Sequence, residues 1–278
     1  MSRLRVHVAF AVGVAITGLL VGAALLSLVW TPADPLGMSI AGRLEGPSRE
    51  HPFGTDQYGR DVLARVMAGT VTSIAVGVLA VAVGAGVGVP LGVAGGYARG
   101  WLDEVLMRLV DAVQGFPAIL SALLFSAIFR PGIAISTVAI GIAFVPAFAR
   151  LSRGSFLELR GREFVLAAAA LGAGDARLIG RHIFPNSLSP LIVQATTSFP
   201  VAIVAEAALA YLGLGTQPPQ PSWGLMLKES QNFLSLNPWF AIFPGAAIAV
   251  SVLGLNLLGD GLRDLFDPRR TGEAVRGV

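Results

Sequence analysis

The sequence predicts an all-α integral membrane protein with six transmembrane helices. Three observations lead there: 54% of the 278 residues are hydrophobic, only 13% are charged, and mean hydropathy is +0.71. A soluble domain carries about 25% charged residues. The surplus apolar residues gather in blocks of about 20, the number a helix needs to cross a hydrocarbon core of ~30 Å. A membrane barrel would instead show alternating segments of about 10 residues, and none dominate.

The spans are read at about Val8–Trp30, Val71–Gly95, Val105–Phe129, Ile133–Ala149, Leu191–Leu212 and Trp239–Leu258. Arg3 and Arg5 precede the first, but its apolar run exceeds the roughly 7–15 residues of a secretory leader and its exit lacks a small-residue cleavage pattern. It is read as retained. With the N-terminus in the cytoplasm, fourteen of the 20 basic residues fall on that side; Arg43, Arg49, Arg60, Arg65, Arg130 and Lys228 fall outside. That bias places both termini inward. The layout is then an N-terminal segment and first span (1–30), an extracytoplasmic segment (31–70), a membrane domain (71–262) interrupted by a loop at 157–186, and a cytoplasmic tail (263–278). Asp260, Arg263, Asp264 and Asp267 are expected to pin the inner end of the last span.

Composition excludes several chemistries. Cysteine is absent, which rules out disulfides and thiolate metal sites. His7, His51 and His182 are scattered, so no metal or other cofactor is expected in this chain. No GxxxxGK[ST] segment occurs, and the sole lysine, Lys228, lies in an outer loop, so the chain lacks a phosphate cradle for ATP. There is no nucleophile–base constellation for a hydrolase. No nucleic-acid motif accompanies the arginines, whose bias reports membrane orientation.

Small residues and prolines mark the helix contacts. Gly77, Gly84, Gly88, Gly92 and Gly96 include three consecutive four-residue steps, which line one side of a helix. Helices in lipid approach closely over small side chains. The ladder serves either one tight internal contact or a face that packs on a second membrane subunit. Pro90, Pro117, Pro146 and Pro244 are expected bends.

The loop at 157–186 is suited to water and to a protein partner. Leu157–Leu171 reads as a helix whose Phe164, Ala167, Ala168 and Leu171 form an apolar stripe. Gly172 is placed to end it at positive φ. Asp175 reads as the cap of a second short helix, Ala176–Phe184, stopped around Pro185. The resulting knob rests on the membrane surface or docks into a cleft of a soluble partner. Docking fits better, because Arg160, Arg162, Glu163, Asp175, Arg177 and Arg181 flank the apolar face and can set register.

Two ionisable residues fall within or beside the predicted spans. Asp111 is three residues beyond Arg108, a spacing that allows a neutralising pair; its role is anchoring or gating. Glu206 either locks onto a neighbouring helix, takes part in an outer gate, or meets the ammonium end of a substrate. A charge in hydrocarbon is costly enough to make both candidates for function. In the outer segment, HPFGTDQYGRD (51–61) reads as a turn and then an amphipathic helix from about Asp56. Arg60 and Asp61 are local caps and pairs, or part of a contact rim. The PPQPSWG stretch around Trp223 covers the mouth of a path or joins that rim.

Four motifs carry a family resemblance. Glu163-Phe-Val-Leu-Ala-Ala-Ala-Ala-Leu-Gly172 followed by Arg181-His-Ile-Phe-Pro-Asn186 resembles the EAA loop of the inner-membrane permease subunits of binding-protein-dependent ABC importers. Leu166 stands where those loops usually carry an acid. His51–Asp61, Ala205–Gly215 and Asn256–Pro268 resemble segments of the "C"-type dipeptide and oligopeptide permeases, wording shared with nickel permeases. The resemblance implies a type I ABC importer fold working by alternating access. It implies as partners a homologous B-type permease forming a heterodimer, two cytoplasmic ATPase subunits that bind ATP and Mg, an extracytoplasmic peptide-binding protein, and membrane lipid. On this resemblance Glu163, Ala167, Ala168, Gly172, Asp175, Ile183 and Pro185 are expected to couple to the ATPases; Asp111 and Glu206 are candidates for the gate or path, and Asp56, Arg60, Asp61 and Trp223 are candidates for contact with the binding protein. The expected cargo is a di- or oligopeptide. Nickel or another small solute is the alternative, and a non-transport scaffold a more distant one.

Overall fold

The computed structural model describes residues 2–266, so the expected tail, including the Asp267 anchor, lies outside the described residues from 267 onward. Among the described residues the helices follow in order: α1 (Ser2–Ser27), α2 (Val62–Ala98), α3 (Gly100–Gln114), α4 (Ala118–Phe129), α5 (Ile133–Arg160), α6 (Glu163–Ala170), α7 (Asp175–Arg177, continuing as a π-helical turn over Leu178–Ile183), α8 (Phe184–Tyr211), α9 (Trp223–Ser230, followed by a 3-10 turn over Gln231–Phe233) and α10 (Trp239–Phe266). Among the described residues, five helices are long and apolar enough to cross a membrane, or six if α3 and α4 together count as one.

The second span starts at Val62 rather than Val71. Asp61 accepts from the Ala64 backbone N–H at 2.7 Å and so caps the helix there, and the helix then runs 37 residues to Ala98. No helix begins at Asp56; residues 51–61 fold as turns closed by the Thr55–Asp61 bridge.

The third expected span, Val105–Phe129, is broken. α3 and α4 meet at 87°, with Gly115 and Pro117 at the junction. Pro117 precedes the first residue of α4 and has no N–H to continue the α3 ladder. Pro90, Pro146 and Pro244 instead lie inside continuous helices, as do Pro190 and Pro200 of α8.

The glycine ladder resolves as an internal contact. A Cβ on Gly84 would stand 2.6 Å from Phe144 Cβ, on Gly88 2.6 Å from the Val145 carbonyl, and on Gly92 2.0 Å from Ser152 Oγ. All three neighbours belong to α5, so backbone meets backbone along most of the α2–α5 seam. Gly77 meets the Phe199 ring of α8 in the same way. Around this seam Val76, Ala80, Ala122, Ala139, Ile140, Ala202 and Leu209 form the buried centre of the bundle. α1 lies along α10, where Gly13 faces Leu257 and Leu258 and Gly254 faces Ile16.

Candidate functional site

One end of the bundle carries the loop singled out in the sequence. α5 runs on to Arg160 and breaks at Gly161 and Arg162 before α6 begins at Glu163, so the single expected helix from Leu157 is two. α6 ends as expected. Gly172 adopts φ +85°, its N–H donates to Ala169 O at 2.9 Å, and Ala173 N–H donates to Ala168 O at 3.1 Å. These are the two bonds of a Schellman cap.

Beyond this turn the expectation needs correction. Gly174, not Asp175, occupies the cap position of the next helix, and that helix does not stop at Pro185. It passes through the π-helical turn and continues as α8. Pro185 is the second residue of α8, directly after the π-helical turn, and supplies no N–H to the ladder there. Asp175 instead accepts from the Tyr97 hydroxyl of α2 at 2.5 Å. Arg160 donates to the Tyr97 carbonyl and lies 4.8 Å from the centre of its ring.

The expected apolar stripe is split between two faces. Val165, Leu178 and Ile183 are buried with Phe156 of α5, and Ala168, Ala173, Val93 and Tyr97 pack around them. Ile183 is fully enclosed, so any part it has in coupling passes through packing and not through contact with a partner. The opposite face carries Phe164, Leu166 and Leu171, exposed by 44%, 57% and 90%. Glu163 and Ala167 stand on this outward side as well. One side of the loop is thus fused to α2 and α5, while the other presents apolar groups ringed by charge.

Two ion pairs fasten α3 to the same end of α5. Arg153 grips Asp103 through two bonds of 2.6 Å, and Arg150 donates to Asp111 at 2.6 Å. The local pairing of Asp111 with Arg108 is therefore corrected, since Arg108 pairs with Glu104. Asp111 remains largely exposed.

Toward the C-terminal end of α8, Glu206 is fully buried, and its Oε1 accepts from the Thr216 hydroxyl at 3.1 Å. Trp223 is also buried and donates from Nε1 to the Val66 carbonyl of α2 at 3.0 Å. A Cβ on Gly224 would meet the Ala207 carbonyl at 2.3 Å, so the outer loop and α8 lie in backbone contact.

The charged segment at 51–61 forms a buried network rather than a rim. Asp56 Oδ2 accepts from Arg60 Nε at 2.6 Å and from the Arg65 guanidinium; Oδ1 accepts from the Tyr58 and Arg60 backbone at 2.8 and 3.0 Å. Arg65 and Arg60 also reach Glu229 of α9 at 2.8 and 3.2 Å, and His51 Nδ1 lies 2.8 Å from Asp61 Oδ2. The expected contact of Asp56, Arg60, Asp61 and Trp223 with a binding protein is accordingly corrected: all four are at least 97% buried, and their partners lie within this chain. Local caps and pairs account for Arg60 and Asp61. Sequence reading missed the roles of Arg65, Glu229, Tyr97, Asp103 and Arg153 because their partners lie 50 or more residues away or, for Arg65 and Glu229, on separate helices. The density of charge in HPFGTDQYGRD was the one available signal.

With this geometry, the comparisons with known proteins agree in kind. Residues 88–272 match the family described as binding-protein-dependent transport system inner membrane component. A dipeptide transport system permease protein, DppC, of Alkalihalophilus pseudofirmus is 47% identical over 227 residues, 82% of this chain and 75% of that protein. A glutathione transport system permease protein, GsiD, of Pectobacterium atrosepticum is 42% identical over 267 residues, 96% of this chain and 88% of that protein. In structure, the chain is similar to the inward-facing MetNI methionine ABC transporter, with a TM-score of 0.61 over 73% of this chain and 96% of that one. At 18% identity that likeness concerns the fold, which is the type I importer fold expected.

Proposed function

Because the chain belongs to the family of binding-protein-dependent transport system inner membrane components, we propose that it is the permease subunit of an ATP-driven importer moving di- or oligopeptides across the cytoplasmic membrane by alternating access. Identity of 47% to a dipeptide transport permease over 82% of the chain carries the peptide reading. The chain pairs with a homologous B-type permease around the path, and an extracytoplasmic binding protein delivers cargo. Two ATPase subunits on the cytoplasmic side bind ATP and Mg and supply the energy. Both termini lie on that side.

The exposed Phe164–Leu171 face enters a cleft of one ATPase, with Glu163, Ala167 and the charges around them fixing its register. When the motor dimer closes, movement of this face passes through Val165, Ala168 and Ile183 into Phe156 of α5 and Val93 and Tyr97 of α2. Because α2 and α5 touch through glycine and backbone, they respond as one body. Such rigid-body rocking is a common way to alternate access. Asp111 fastens α3 to α5 on the inner side, and Glu206 holds the outer loop to α8.

Uptake by the assembled importer in vesicles tests the reading. Labelled dipeptides should accumulate only with ATP and the cognate binding protein, and that binding protein should titrate with dipeptides and not with nickel ion. Nickel binding without peptide binding would move the chain to the other cargo class; peptide accumulation without ATPase subunits would overturn the ATP-driven mechanism.

A further inference from the structure

The break between α3 and α4 falls inside the third expected span. α4 has 12 residues and reaches about 18 Å, little more than half of a ~30 Å hydrocarbon core. Its outer end adjoins the start of α5 at Ile133. At the other end of α4, Pro117 lines one pocket with Ile142, which lies nine residues and about 14 Å along α5 from Ile133. With the Phe129 end of α4 at the membrane face, both lengths put the junction within the hydrocarbon core.

Non-helical backbone at that depth is tolerated only where protein buries it or where it lines a watery cavity. Here this chain does not bury it: Gln114, Gly115 and Pro117 are exposed, and Phe116 is 68% exposed. A pocket of about 250 Å³ opens at the junction, lined by Val113, Gln114, Phe116, Pro117, Ser121 and Ile142 together with Ala143. The Gln114 amide and the Ser121 hydroxyl make no side-chain hydrogen bond among the described residues, and both belong to this lining. The larger cavity, about 450 Å³ between α1, α2, α8 and α10, is lined mostly by apolar side chains, with Thr17, Thr196 and Ser251 among them.

Resting on the transport reading above, we infer that the α3–α4 junction is this subunit's contact site for the translocating peptide. Gln114 donates to and accepts from main-chain amides, Ser121 adds a second polar contact, and Phe116 and Pro117 receive the cargo's side chains. Sequence-tolerant carriage follows from this division, because the polar contacts address the backbone common to all peptides. The pocket is smaller than the roughly 300–1,000 Å³ of a complete ligand site, as expected of a half-site that a second permease chain completes.

The chain has no cysteine, so a single introduced thiol is read without background on its band. Gln114→Cys and Ser121→Cys variants of the whole importer, in vesicles, should react severalfold faster with a membrane-impermeant maleimide than Leu124→Cys, which lies in α4 away from the pocket lining. A dipeptide mixture taken up with ATP and binding protein should slow the reaction at both positions severalfold, while a mixture of free amino acids should not. If wild-type vesicles take up dipeptides but both thiols stay unreactive, or react without protection, the contact site is wrong and the transport reading stands. If wild-type vesicles take up no dipeptide, the transport reading fails and this inference fails with it.

Discussion

Tyr97 and Asp175, 78 residues apart in sequence, are joined by a 2.5 Å hydrogen bond that ties the C-terminal end of α2 to the 157–186 loop. The same tyrosine ring lies under Arg160, whose guanidinium also holds the Tyr97 carbonyl. One aromatic residue therefore links the last turn of α2, the last turn of α5 and the turn into α7. Tyr97→Phe removes the donor and keeps the ring. The expected loss is about 1 kcal/mol at this partly exposed site, too little to unfold the chain. In vesicles, ATP hydrolysis should continue while peptide taken up per ATP falls. Tyr97→Ala, which also removes the surface under Arg160, should lower that ratio further. An unchanged ratio in both would show that force does not pass through this contact.

The α2–α5 seam makes a steric prediction. Gly92→Ala sets a methyl group 2.0 Å from Ser152 Oγ and 2.1 Å from the Ala149 carbonyl, so the helices must part. Overpacking of this kind costs about 1–3 kcal/mol. Gly86→Ala on the same helix meets nothing within 4 Å and should be neutral or slightly stabilising. Thermal unfolding of the two variants in detergent checks this: the midpoint should drop for the first and hold for the second.

The outer network makes an electrostatic one. Asp56→Asn leaves the buried guanidinium groups of Arg60 and Arg65 with Glu229 as their remaining carboxylate partner. Removing one member of a buried ionic network costs about 3–5 kcal/mol. Arg108→Ala, which breaks an exposed pair with Glu104, should cost less than about 1 kcal/mol. Membrane levels of the folded chain should fall sharply for the first variant and remain unchanged for the second.

The parts legible in the sequence were those that depend on local order. Hydropathy located the spans, and the four-residue glycine step identified the close-packed face of α2. Gly172 was read correctly as a helix end because a left-handed residue after a run of alanines is a local requirement. What escaped depends on distance. For the charged residues of HPFGTDQYGRD the sequence leaves local pairs and a contact rim both open, because Glu229, which closes the network, lies 169 residues from Arg60. Pro185 read as a stop, because a proline in a first helical turn looks locally like one after a last turn. The α3–α4 break was hidden for a related reason: Gly115 and Pro117 are compatible with a bent continuous span, and only the packing of α3 across α5 through Asp103 and Asp111 decides against it.

The central claim is that a soluble motor drives the membrane helices through the outward face of the coupling loop. Phe164 and Leu171 are its exposed apolar anchors, and neither belongs to the buried cluster beneath. The most direct measurement is therefore the ATPase content of the purified importer carrying Phe164→Asp and Leu171→Asp together, alongside dipeptide uptake in vesicles. The double variant should insert and pair with its partner permease at wild-type levels, lose the ATPase subunits on purification, and take up no peptide. Full retention of the ATPases with wild-type uptake would contradict the account.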